Sequence, residues 1–235
     1  MSISIKDISR ALLDVVFPRT CSVCGSPLAS HEKHLCTGCL VDIPKTDFHL
    51  QHFNPMEQLF AGKVLIHRAS GFFFYEKGSP YSNLLHDFKY RNLPQLAFFL
   101  ASLYARELQQ HHFFAHIHYI IPVPLHRSKL ISRGYNQSEM IARGFSSVTG
   151  IPVLTDIIVA HHPHESQTDK GIYERWANTQ GVFSAVNTHL IENKHVLIVD
   201  DVVTTGATLL SASLSISSVP GVTISLATLG VAVLG

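Results

Sequence analysis

An unbroken apolar run, Val196-Leu197-Ile198-Val199, meets two carboxylates at Asp200 and Asp201 and then the small turn Thr204-Thr205-Gly206-Ala207-Thr208. No other stretch constrains the fold of this chain as tightly. Four residues, rich in β-branched side chains, are too few for a helix and suit a strand buried on both faces, which makes this a central strand of a parallel sheet. Ligands of open parallel sheets bind beyond the carboxyl ends of the strands, and Asp200 and Asp201 stand where this strand is expected to stop. Two adjacent carboxylates at such a place require solvent, a metal or ligand hydroxyls. Gly206 permits a tight turn and close approach to the backbone. Residues Thr208 to Ile216 are expected to form a helix whose unpaired N-terminal N–H groups favour a phosphate at the same spot. The order of residue types therefore reads as a sugar-phosphate site, with carboxylates on ribose hydroxyls and the turn on a 5′-phosphate. Each part has a plainer explanation alone: Asp-Asp ends a buried strand, and Thr204 and Thr205 cap the next helix. Capping explains neither the paired carboxylates nor the order Thr-Thr-Gly-Ala-Thr.

The four cysteines of the chain fall in two pairs, Cys21-x-x-Cys24 and Cys36-x-x-Cys39. Each pair can clamp one side of a tetrahedral ion from a tight knuckle, and Gly25, Ser26 and Pro27 suit that turn. Structural zinc is the reading. Disulfides are the alternative, which in a secreted chain would come with a signal peptide, and the sequence shows none. A redox-active CxxC is a further alternative. His31 and His34 lie between the pairs as substitute ligands, although four thiolates already complete a closed site.

Near the start, Ile5, Ile8, Leu12, Leu13, Val16 and Phe17 recur at roughly helical spacing, interrupted by Lys6, Asp7, Arg10 and Asp14. Those charges oppose a signal core or membrane span and favour a short amphipathic helix packed on the cysteine knuckle. No later window is apolar enough to span a membrane, so a soluble, cytoplasmic protein without a membrane partner is expected. A formal net charge of +1 offers no general attraction for nucleic acid. Charged residues make up 15% of the chain, and its 16 histidines supply much of the remaining polarity. Below a pH of about 6.5 many of these gain charge, so affinity for polyanions is expected to rise with acidity.

Length and composition suggest a small metal-stapled module over residues 1–60 and a main domain over 61–235. Ala69 to Tyr75 reads as a strand and Glu76 to Ser79 as its turn. Ser82 to Lys89 and Leu96 to Gln110 read as helices, with Leu84, Leu85 and Phe88, and then Leu96, Phe99, Leu100 and Leu103, as core faces. Tyr119 to Pro124 is a short buried strand. After it His126, Arg127, Lys129 and Arg133 crowd one loop, either as a solvated surface or as cationic partners for a pyrophosphate. Asn136 is expected to cap a helix that ends near Gly150, and Val222 to Leu234 forms a late strand.

The stretch from Val196 to Leu209 resembles the phosphoribosyl pyrophosphate (PRPP) motif of type I phosphoribosyltransferases. Together with the CxxC pairs, Lys89-Tyr90, Pro122-Val123-Pro124-Leu125, Arg133-Gly134-Tyr135-Asn136-Gln137, Gln167, Arg175-x-x-Asn178 and Phe183, it makes the chain similar to the ComF/GntX family over nearly its whole length. The resemblance implies an α/β fold: a type I phosphoribosyltransferase-like parallel sheet flanked by helices, preceded by a small four-cysteine, zinc-ribbon-like module. It implies PRPP or a phosphoribosylated small molecule as ligand, with Mg²⁺. Asp200 and Asp201 would orient the ribose and carry catalysis, and Thr204, Thr205, Gly206, Ala207 and Thr208 would anchor the 5′-phosphate. Arg127, Arg133, Lys89, Gln167 and Arg175 would serve the pyrophosphate and the hood that closes over it. Members are linked to DNA uptake in competent bacteria. Two functions follow: transfer of a phosphoribosyl group to a nitrogen acceptor, or a non-catalytic PRPP-binding scaffold that serves DNA uptake, with single-stranded DNA or competence-machinery proteins as partners.

One segment departs from that family. Its members place arginines shortly before the hood glutamine, whereas this chain reads His161-His162-Pro163-His164-Glu165-Ser166-Gln167-Thr168. Neutral histidines supply little positive charge to a leaving pyrophosphate. Turnover is then pH-dependent, or the segment is an exposed loop in which His replaces Arg with little effect.

Overall fold

The computed structural model describes residues 19–90, 93–161 and 182–233. Four strands, β1 (Arg68–Tyr75), β2 (Tyr119–Pro122), β5 (His195–Val203) and β6 (Thr223–Ala232), form a sheet in the order β1-β6-β5-β2 with every pairing parallel. The expected central strand is thus β5, flanked on both sides. A separate antiparallel ribbon joins β3 (Ile158–Ala160) to β4 (Phe183–Ala185). The sequence reading contained neither of those strands, because three residues are too short for a periodicity to register.

Parallel strands need crossover helices, and these cover both faces of the sheet. On one face lie α4 (Pro94–Gln110) and α6 (Gln137–Thr149); Leu96, Leu100, Tyr104 and Leu108 fall at four-residue spacing and meet Phe72, Phe73, Leu197 and Val199. On the other face α7 (Ala207–Ile216) buries Leu209, Ala212 and Ile216 against Val196, Ile198 and Leu226. The bounds of α6 are set by caps: Asn136 accepts from Ser138 N at 3.0 Å to start it, and Gly150, at φ 73°, ends it. Helix α3 (Ser82–Tyr90) buries Leu84 and Leu85 as expected. Phe99 and Leu103, read as core, are only half-buried, because they face the cysteine-bearing segment rather than the sheet.

The segment ahead of β1 is tied to it. Lys45 bridges to Phe73, Thr46 N donates to Phe72 O, and the Asn54 amide donates to Ala69 O at 2.9 Å. Asn54 also starts the short helix α2 (Pro55–Gln58) through a capping box with Glu57. The remaining short helices are α1 (Thr37–Val41) and α5 (Arg127–Arg133). The expected amphipathic helix over Ile5 to Phe17 lies outside the described residues, as does most of the hood. Among the described residues no helix is long and apolar enough to cross a membrane.

Candidate functional site

The two carboxylates do not end β5, as the sequence reading had them; the strand continues through them to Val203. What ends is its neighbour. The last β2 pair is Pro122 with Val199, and Val123 N donates to Val199 O at 2.9 Å. From Asp200 onward β5 is therefore paired only to β6, and its other edge opens onto a cavity. A second irregularity serves the same end. Pairing passes from Asp200↔Thr228 to Val202↔Gly230, and in parallel from Gly71↔Thr228 to Phe73↔Gly230, so three strands share one break in the ladder. Regular alternation would send adjacent side chains to opposite faces, yet Asp200 and Asp201 both line the cavity.

That cavity has a volume of about 630 Å³. Its walls bring together Asp200 and Asp201 of β5, Thr204 of the following turn, Ala207 and Thr208 of α7, Lys129 and Arg133 of α5 with His126 just before it, and His161 at the base of the hood. Thr205 and Gly206 join Thr204 and Thr208 in a smaller cradle of about 30 Å³ alongside. Gly206 stands at φ 79° as the N-cap of α7 and supplies no side chain to it. Neither threonine caps the helix, which removes the plainer explanation of the Thr-Thr pair and leaves the N-terminal N–H groups facing the turn.

Residues 127–133, read as a loop, form helix α5. His126 caps it, its Nδ1 accepting from Ser128 N at 3.2 Å, and Gly134 closes it at φ 78°. The helix sorts the basic residues that a loop would have crowded together: Lys129 and Arg133 face the cavity, while Arg127 is exposed and is not part of its wall. Gln167, Arg175, His162 and His164 lie outside the described residues, and so does the side chain of Lys89. His161 closes the ribbon, with Nε2 2.6 Å from Ser184 Oγ.

Ser138, to which the sequence reading gave no role, touches the carboxylate pair directly. Its hydroxyl donates to Asp200 Oδ1 at 2.9 Å, and the same oxygen accepts from Asp201 N at 2.9 Å. Asn136 ties this arrangement to the residue that follows β2, accepting from Ser138 N and donating to Val123 O at 3.0 Å. The signal was present: a residue two past an N-cap lies in the first turn and shares the surroundings of the helix start. Tyr135 lies close by, and burial, with a smaller contribution from Asp201, pushes its phenol up to about 12.

The four cysteine thiols are free of disulfides, and their sulfurs lie within 4.8 Å of one another, with Cys24 and Cys36 at 3.7 Å. Tetrahedral zinc with bonds of about 2.3 Å needs sulfur pairs about 3.8 Å apart, so the donor set is compatible with that ion. Hydrogen bonds with Ser26 hold the Cys24 thiol down to about 6, while burial pushes Cys39 up. His31 and His34 are not members of the cluster; His34 packs against Phe99 at 5.4 Å instead. A second group of ligand-type atoms, from Asp47, His49 and Glu107, already holds a cation, since Lys45 Nζ lies 2.6 Å from Glu107.

Residues 100–229 match the phosphoribosyl transferase domain. The chain belongs to that family. The matched span holds β2, β5, α7, most of β6 and every described wall of the cavity. Two relatives of this phosphoribosyltransferase-domain protein carry competence and DNA-utilization names, in keeping with its resemblance to the ComF/GntX group. Competence protein F of Haemophilus influenzae is 28% identical over 193 residues, covering 80% of this chain and 74% of that protein. DNA utilization protein YhgH of Escherichia coli is 27% identical over 191 residues, covering 80% and 79%. Among solved structures, the glutamine PRPP amidotransferase of B. subtilis complexed with ADP and GMP superposes with a TM-score of 0.38 at 20% identity, over 55% of this chain. This chain spans a quarter of that enzyme's length, 25%. The strand order and the family match together define the fold.

Proposed function

We propose that this phosphoribosyltransferase-domain protein binds PRPP and transfers its phosphoribosyl group to a nitrogen acceptor. The observation that carries the reading is the placement of Asp200 and Asp201, side by side on the open edge of β5 and next to an uncapped helix start. Within it, the N–H groups of α7 and the hydroxyls of Thr204, Thr205 and Thr208 hold the 5′-phosphate, around the backbone of Gly206 and Ala207. Asp200 and Asp201 accept from the ribose hydroxyls and lie where positive charge gathers on the sugar as the pyrophosphate departs. Lys129 and Arg133, with Gln167, Arg175 and Lys89, serve the pyrophosphate side; Arg127 lies further out. The carboxylate pair also suits Mg²⁺ bound with the substrate, which would offset the charge of the departing diphosphate. Zinc on Cys21, Cys24, Cys36 and Cys39 is structural, with no position left open for substrate. A thiolate-bound zinc accords with a reducing, cytoplasmic setting.

Pyrophosphate release from PRPP with Mg²⁺, measured across a panel of nucleobases and amines, tests this reading. A single acceptor that raises release well above the no-acceptor rate is the expected result. Release that no acceptor stimulates would leave the second reading, a PRPP-binding scaffold in DNA uptake. The names of its relatives, Competence protein F and DNA utilization protein, favour that role. Under that reading single-stranded DNA is retained at low salt and lost steeply as salt rises, because phosphate contacts release counterions.

A further inference from the structure

Gln137 is the first residue of α6 and is 1% exposed in the wall of the cavity that holds Asp200 and Asp201. Its carboxamide oxygen accepts from Arg133 Nη1 at 3.2 Å, which fixes which end of the amide is nitrogen. Nε2, at the other end, is buried and has no hydrogen-bond partner. Native proteins leave few buried donors unpaired, and each such group calls for a reason. The other unpaired buried side-chain atoms among the described residues, on His49, Ser79 and Ser213, belong to residues outside this cavity wall.

An amide nitrogen can only donate, so its missing partner is an acceptor. The Arg133 guanidinium on the opposite end of the amide polarises the group and makes Nε2–H a stronger donor toward an anion than toward a neutral hydroxyl. Position agrees with that. The next residue, Ser138, holds Asp200 from α6, while the 5′-phosphate cradle is built by a different element, the turn at 204–206 and the start of α7. A ligand whose ribose sits on Asp200 and Asp201 and whose 5′-phosphate sits at α7 extends its remaining substituent toward α5 and α6. We infer that Gln137 is a specificity residue for the diphosphate of the ligand: Nε2 donates to a pyrophosphate oxygen, and Arg133 both orients and strengthens that donor. This rests on the PRPP reading above.

Calorimetric titration of the zinc-loaded full chain with PRPP and with ribose 5-phosphate, each with Mg²⁺, separates the outcomes. Gln137→Met should weaken PRPP about tenfold, the effect of one hydrogen bond to a charged group, and leave ribose 5-phosphate within about twofold. Gln137→Glu, which keeps an acceptor for Arg133 and so preserves the fold if the methionine variant does not, should weaken PRPP further by repelling the diphosphate. Equal PRPP affinity in wild type and variants would overturn the inference while leaving the PRPP site standing. Equal losses for both ligands would also overturn it, by assigning Gln137 to general structure. A wild-type protein that binds no PRPP would remove the site reading itself, and the inference with it.

Discussion

Single atoms decide how the carboxylate pair is presented. Asp200 Oδ1 is held by the Ser138 hydroxyl and by the next backbone N–H, so Ser138→Ala should leave the carboxylate misoriented. The expected loss is about tenfold in Mg-PRPP affinity, in line with about 1.5 kcal/mol for a hydrogen bond to a charged group, with the melting temperature little changed. Titration calorimetry reads the first and a thermal melt the second. Gly206 is the other sensitive position. Its φ of 79° is strained for any side chain, so Gly206→Ala should destabilise by about 1 kcal/mol or more, seen as a lower denaturant midpoint. The two residues differ in how far the sequence disclosed them. Gly206 was legible because its neighbours declare a turn and helix start. Ser138 was not, because its role depends on a partner 62 positions away, and no local pattern encodes that meeting.

At the scale of elements, the sheet was largely legible and its ends were not. The runs at 69–75, 119–124 and 222–234 announce strands by mainly apolar composition rich in aromatic and β-branched residues, and the helices by four-residue spacing and caps. Where β5 stops being shared with β2 depends on the length of a different strand, so Asp200 and Asp201 read as a terminus in the sequence. Helix α5 escaped because its character comes from its caps, His126 and Gly134, in a stretch whose charges read as loop. The opposite ends of the strands gather histidines. His195, at the start of β5, is nearly buried and packs on His67 at 5.1 Å; its backbone N–H donates to His118 Nδ1, and its Nε2 contacts Ser225 Oγ. Burial, reinforced by His67, His118 and His116, pushes its imidazole down to about 4 from 6.5. A base with a depressed folded pKa takes its proton more readily when unfolded, so its contribution is intact above about pH 6.5 and is lost as pH falls toward about 4. Melting temperature should drop across that window, and a His195→Gln variant should drop less. An equal drop in both would assign the acid sensitivity to other groups.

For the molecule as a whole, the cysteine cluster is a structural clamp as well as a candidate metal centre. Tyr81 donates to Cys39 O at 3.0 Å, Cys21 and Leu35 join the core above α4, and His34 packs on Phe99. Removing metal with a chelator should therefore lower the melting temperature of the main sheet, and zinc added back should restore it; a melt indifferent to chelation would mean that the module contributes nothing to the rest. The cluster itself was plain in the spacing of the cysteines, whereas its docking on α4 was not, since half-buried Phe99 and Leu103 look like ordinary core positions in the sequence. What unites the molecule is one site built from the ends of β2 and β5 and the starts of α5, α6 and α7. The most direct test of its assignment is calorimetry of Mg-PRPP with wild type and with the Asp200→Asn, Asp201→Asn double variant. Binding by the wild type and none by the variant is the predicted result, with zinc content and melting profile retained in both. Unchanged affinity in a folded variant would contradict it.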